Sequence, residues 1–123
     1  MRLADRSLTF LAPAWDDGEV EIQGERLANY LALTLSAQGA PTHTPIAEDW
    51  GWVVPLGDPK GFWIGCGFDG DQRFRCFVHP HGPSAWRGWR RIDISGEVAA
   101  IEAKLEAAVR ASGEASAIGW QDD

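Results

Sequence analysis

Phe62-Trp63-Ile64-Gly65-Cys66-Gly67-Phe68-Asp69-Gly70-Asp71-Gln72-Arg73-Phe74-Arg75-Cys76-Phe77-Val78-His79 is the stretch that decides the fold. Apolar side chains recur at every second position on both sides of Asp69-Gly70-Asp71-Gln72, which is turn chemistry. The pattern predicts a hairpin of strands at about 61–68 and 73–79. Phe62, Ile64, Cys66 and Phe68 share one face of the first strand; Phe74, Cys76 and Val78 share one face of the second. Both apolar sets lie on one side of the sheet in a register such as Phe68 opposite Phe74. Cys66 then stands across from Cys76, with β-carbons about 4.5–5.5 Å apart.

Upstream, a strand is expected at about 49–55, joined to the hairpin through the turn Leu56-Gly57-Asp58-Pro59-Lys60. The same alternation sets Trp50, Trp52 and Val54 on the apolar side with Ile64 and Cys66. The opposite side carries Gly51, Val53, Trp63, Gly65, Gly67, Arg73, Arg75, Phe77 and His79. Glycines within strands mark places where a ligand or another backbone comes close. This second face therefore reads either as a glycine-floored binding trough or as a trough already filled by the Trp63 indole. If helices cover it, the assignment inverts and Trp50 and Trp52 become the exposed set.

Residues 7–11 read as an opening strand, followed by a loop at Pro13 and Asp16-Asp17-Gly18. Leu27, Tyr30, Leu31, Thr34 and Leu35 recur at helical spacing, giving a helix from Val20 or Gly24 to Ala37, capped by Gly39. Residues 41–45 are loop or edge, and 86–94 add a fourth strand with Gly88 as a bulge. Ser95 is a candidate N-cap for a second helix, whose stripe of Val98, Ile101, Leu105, Ala108 and Val109 ends at Gly113. Ile118 and Trp120 belong to a last short strand. The expected fold is α+β: one antiparallel meander sheet with two helices packed on one face, in the order β-α-β-β-β-(β)-α-β.

The chain of 123 residues, 45% hydrophobic and 24% charged, is expected to form a single domain over residues 1–123. A net charge of −7 argues against general nucleic-acid or anionic-membrane binding. The charge is uneven: residues 72–92 hold five arginines and no acid, leaving six cations against eighteen acids elsewhere. Such a strip either pairs with acidic helices of the same chain or makes a specific electrostatic contact. No apolar run approaches the ~18 residues of a membrane span, and Asp5 and Arg6 interrupt the start as a signal segment. Two cysteines beside a sufficient core point to reduced thiols and a cytoplasmic location. Nine arginines against two lysines, with many alanines and glycines, suggest a bacterial genome of high GC content.

Chemistry is sparse. Cys66, Cys76, His79 and His81 are zinc-type ligands, but C-x9-C-x2-H-x-H lacks the close pairs of zinc knuckles, and alternation sets Cys76 and His79 on opposite faces. Neither a metal nor another cofactor is expected. Both cysteines face the core, without the exposed, electropositive setting that a nucleophile needs. Glu48, Asp49 and His43 are the acid–base candidates, yet adjacent carboxylates on a strand point to opposite faces. G-x-S-x-G, H-E-x-x-H, a phosphate loop and a dinucleotide fingerprint are all lacking.

Seven tryptophans, five of them between Trp50 and Trp89, supply either core or contact surface. Trp86-Arg87-Gly88-Trp89-Arg90-Arg91 combines the two residue types that dominate interface energetics. Its tryptophans alternatively just cap the core. Glu48-Asp49-Trp50-Gly51-Trp52 followed by Phe62-Trp63-Ile64-Gly65-Cys66 resembles a set of small uncharacterised bacterial proteins sharing an E-D-W-G-W strand. That resemblance implies a bacterial cytosolic α+β domain and assigns no functional residue.

The functional expectation is a non-enzymatic adaptor or immunity-type binding protein. Its contact residues would be Trp63, Arg73, Arg75 and Phe77, or Trp86, Arg87, Trp89 and Arg90, and its partner a protein or an acidic small ligand. The alternative is a small-ligand carrier or enzyme with a pocket between sheet and helices, where Glu48, His79 or His81 acts.

Overall fold

A computed structural model describes residues 6–58, 60–80, 86–87, 90–91 and 95–122; for 86–87 and 90–91 it describes only the strand pairing. Six strands form one antiparallel sheet: β1 (Arg6–Leu11), β2 (Ile46–Glu48), β3 (Gly51–Pro55), β4 (Trp63–Gly70), β5 (Arg73–His79) and, as β8, Ser116–Asp122. Among the described residues, two further strands, β6 (Trp86–Arg87) and β7 (Arg90–Arg91), pair only with each other. The helices are α1 (Glu25–Ala37) and α2 (Ser95–Ala111). The sheet order β2-β3-β4-β5-β1-β8 extends a meander, β2 to β5, with the first and last strands of the chain. This is the α+β class expected from the sequence.

The central hairpin has the predicted register: Phe68 pairs with Phe74, Cys66 with Cys76 and Ile64 with Val78. The turn between β4 and β5 places Asp71 at φ 52° and Gln72 at φ 63°, the left-handed pair of a type I′ turn. Its twist matches that of the flanking strands. β3 continues the pattern, with Trp52 opposite Cys66 and Val54 opposite Ile64.

Both helices cover the face carrying Val54, Ile64, Cys66, Phe74, Cys76 and Val78, where α1 packs on β3 and α2 on β5. Leu27, Leu31 and Leu35 from α1 and Leu105 and Val109 from α2 are essentially inaccessible to water. Burying each such side chain contributes about 1.5–3 kcal/mol. Tyr30 ties the helices together, its hydroxyl donating to the Ala108 carbonyl at 2.7 Å. Gly39, at φ +87°, ends α1, and the Ala40 N–H returns to the Leu35 carbonyl at 2.8 Å.

The start of α1 is set from a distance. Gly24 offers no side chain to the free N–H groups, and Asp17 supplies it instead. Its carboxylate accepts from the N–H groups of Gly24 at 2.8 Å, Glu25 at 3.0 Å and Arg26 at 3.2 Å. Sequence spacing did not reveal this cap, because Asp17 lies seven positions before Gly24.

Three expectations need correction. Strand β3 begins at Gly51 rather than at 49, because Asp49 and Trp50 form the turn of a hairpin closed by Glu48 and Gly51. Residues 46–48 are consequently a strand that the sequence pattern did not separate from the loop before it. Of the stretch 86–94, expected to add a fourth strand to the sheet, the described residues pair among themselves instead, Trp86 with Arg91 and Arg87 with Arg90. Gly88, Trp89 and His81 lie outside the described residues.

Candidate functional site

Moving Trp50 into the turn changes its face. Instead of joining Trp52 on the helix side, it folds over the opposite face. Its ring lies 6.1 Å from Trp63 and 5.6 Å from Phe77. Trp63 in turn meets Phe77 at 5.8 Å and His79 at 4.5 Å, both edge to face. Three elements thus build one aromatic cluster: the β2–β3 turn, β4 and β5.

The cluster rests on Gly65, one of the three glycines that strand alternation placed on this face. Gly51 pairs with Gly67 and Gly65 with Phe77. The Phe77 ring lies over Gly65, so that a Cβ there would stand 2.6 and 2.8 Å from its Cε1 and Cε2 atoms. The trough is therefore filled at Gly65, though by Phe77 rather than by the Trp63 indole. Trp50 forms a raised edge beside it and remains 46% exposed.

Next to that edge is a pocket of 320 Å³ lined by Ile46, Glu48, Trp50, Val53 and Trp63. Ile46, at 52% exposure, and Glu48 belong to the outermost strand, so the pocket opens at the rim of the sheet. Two exposed apolar side chains, Ile46 and Trp50, thus stand with the Glu48 carboxylate at the edge of the sheet.

The candidate arginines lie further along β5 on the same face. Arg73 is exposed beside the β4–β5 turn. Arg75 is half-buried, with Nε 3.2 Å from an Asp69 oxygen. Part of the basic strip is thus paired within its own hairpin rather than with an acidic helix. The structure brings Trp63, Phe77 and Arg75 onto one face with Trp50, which the sequence reading had assigned to the other. The side chains of Trp86, Arg87, Trp89 and Arg90 lie outside the described residues.

Among the described residues, those weighed for chemistry do not converge. His43 lines a second concavity, with Leu33, Ser36 and Thr42, while Glu48 lines the pocket beside Trp50. Cys66 and Cys76 are wholly buried on the helix side, and His79 is on the other face against Trp63. Among the described residues no group of three or more His, Cys, Asp or Glu side chains is placed to hold a metal ion. No helix among them is long and apolar enough to cross a membrane. Burial pushes the Cys76 thiol well above its ordinary pKa, and its hydrogen bond with Cys66 acts in the same direction.

No protein-family model, curated protein or solved structure matches the chain.

Proposed function

We propose that the chain is a non-enzymatic binding protein of the adaptor or immunity type, acting in the bacterial cytoplasm. Its contact surface is the aromatic face of Trp50, Trp63 and Phe77 with the flanking Arg73 and Arg75. The single observation that supports this reading most is Trp50. A tryptophan on a two-residue turn, nearly half exposed yet held against two other rings, is a rigid amphipathic anchor. Anchors of that kind dominate binding energy when a partner desolvates them. The segment from Trp86 to Arg91 is the alternative contact, on its composition alone.

Affinity capture from bacterial lysate with the wild-type chain and with Trp50→Ala, read by mass spectrometry, tests the proposal. A protein retained by the wild type and lost on Trp50→Ala, with the unfolding midpoint of the variant unchanged, is expected. Retention indifferent to Trp50→Ala, or no retained protein, overturns the proposal.

A further inference from the structure

We infer that the pocket lined by Ile46, Glu48, Trp50, Val53 and Trp63 receives a cation: the alkylated ammonium head of a lysine side chain on the partner protein. The inference rests on the reading of this face as a contact surface. It reverses the sign of charge that the arginine strip suggested for the partner.

The argument starts from the lining. Two indoles, with ring planes 33° apart, contribute π-electron density, and Glu48 contributes the one formal charge; no lysine or arginine is among the five residues. Ring faces attract cations through their quadrupole, and most strongly when the cation's own hydration is weak, as with alkylated ammonium groups. Ile46 and Val53 complete an apolar wall that suits N-methyl groups and offers nothing to an anion. The Glu48 carboxylate makes no ion pair or hydrogen bond with the described residues, so its charge is left to the pocket and solvent. The chain as a whole, at −7, favours the approach of a cation.

Shape decides the source. A site for a free small molecule encloses most of its ligand. Here the exposed Ile46, Glu48 and Trp50 leave one side open, so the pocket covers a head group and leaves its stem outside. A side chain reaching in from a partner surface fits that arrangement.

The test titrates three probes into isotope-labelled protein and follows the indole N–H resonances of Trp50 and Trp63. The probes are the peptide Gly-Gly-Lys-Gly-Gly trimethylated at lysine, its norleucine counterpart, and choline. Saturable shifts with the trimethylated peptide, about fivefold tighter than with norleucine, are expected from the cation–π contribution. Glu48→Gln should weaken that binding about twofold, as befits an exposed carboxylate, without moving the unfolding midpoint. Equal binding of the norleucine peptide would make the pocket a plain apolar contact and overturn the cation, while leaving the proposed binding face intact. Choline binding more tightly than the peptide would assign the pocket to a free small molecule and overturn the partner's lysine. Unmoved Trp50 and Trp63 resonances with all three probes would also overturn the inference; the lysate experiment would still judge the face.

Discussion

Phe77 occupies the space that a side chain at Gly65 would need, one strand away and directly opposite in register. The two residues are interdependent: a side chain at 65 would meet the outer end of the Phe77 ring, and the ring takes that place because the glycine is bare. Gly65→Ala is expected to displace Phe77 and to lower stability by about 1–3 kcal/mol, the range for overpacking a filled site. Tryptophan emission should change as well, because Phe77 contacts both Trp50 and Trp63. Urea unfolding followed by fluorescence measures both effects, and an unchanged midpoint would contradict the account of this face.

Asp17 acts as the cap of α1 although it is remote from it in sequence. Its carboxylate satisfies three backbone N–H groups at the helix start, and the Arg26 guanidinium is 3.6 Å away. Asp17→Ala is expected to cost about 0.5–2 kcal/mol, as for other lost N-caps. Asp17→Asn should recover part of the loss, because its amide oxygen still accepts. Equal stability of the alanine and asparagine variants, by thermal unfolding, would refute the cap.

Gln72 sits at φ 63° in the β4–β5 turn, a conformation disfavoured for a residue with a Cβ. Gln72→Gly should therefore raise stability by about 1 kcal/mol, the scale of the left-handed penalty, while keeping the backbone bond from the Ala12 N–H to the residue 72 carbonyl. A lower urea midpoint would mean that the Gln72 side chain contributes more than its backbone strain removes.

The hairpin from Phe62 to His79 was legible in the sequence because its signals are local. Alternation and turn chemistry suffice to pair Cys66 with Cys76. Trp50 was misplaced because alternation holds only while the strand continues, and Asp49-Trp50 has none of the glycine or asparagine that usually marks a two-residue turn. The candidate site depended on that residue. Trp63 and Phe77 were recognised as neighbours, but the third ring, and with it the pocket beside Glu48, required knowing where one turn falls. Placing β1 between β5 and β8 was likewise illegible, since non-local pairing leaves no periodic trace in either strand.

Stability should fall in mild acid. The Arg110 guanidinium, 2.8 Å from Glu106, and the Trp120 indole N–H, at 2.7 Å, hold the Glu106 carboxyl below its ordinary value of 4.5. Asp16 is likewise held below 3.8, chiefly by the Gly18 N–H and then by the Gln23 side chain. A carboxyl with a depressed folded pKa binds fewer protons when folded than when unfolded. Its contribution is complete above the unfolded value and is lost as pH falls through the folded one. The unfolding midpoint should therefore be flat near neutrality and decline below about pH 4.5. Glu106→Gln should remove part of that slope. Superimposable pH profiles for wild type and Glu106→Gln would exclude this carboxyl as a contributor.

The two cysteines invite a redox reading that their surroundings oppose. Cys66 and Cys76 are free, opposite each other in register and wholly buried beneath the helices. Thiolate is the reactive form, and burial, reinforced by the hydrogen bond between the thiols, pushes the Cys76 pKa well up. Native protein at pH 8 should therefore react with DTNB only as fast as the chain unfolds globally, while both thiols titrate at once in denaturant. Cys76→Val, close in volume and without a polar atom, should cost less than about 1.5 kcal/mol. Labelling of the native protein faster than global unfolding would show that the β4–β5 hairpin opens locally to reagent. It would then return the pair to consideration as a functional site.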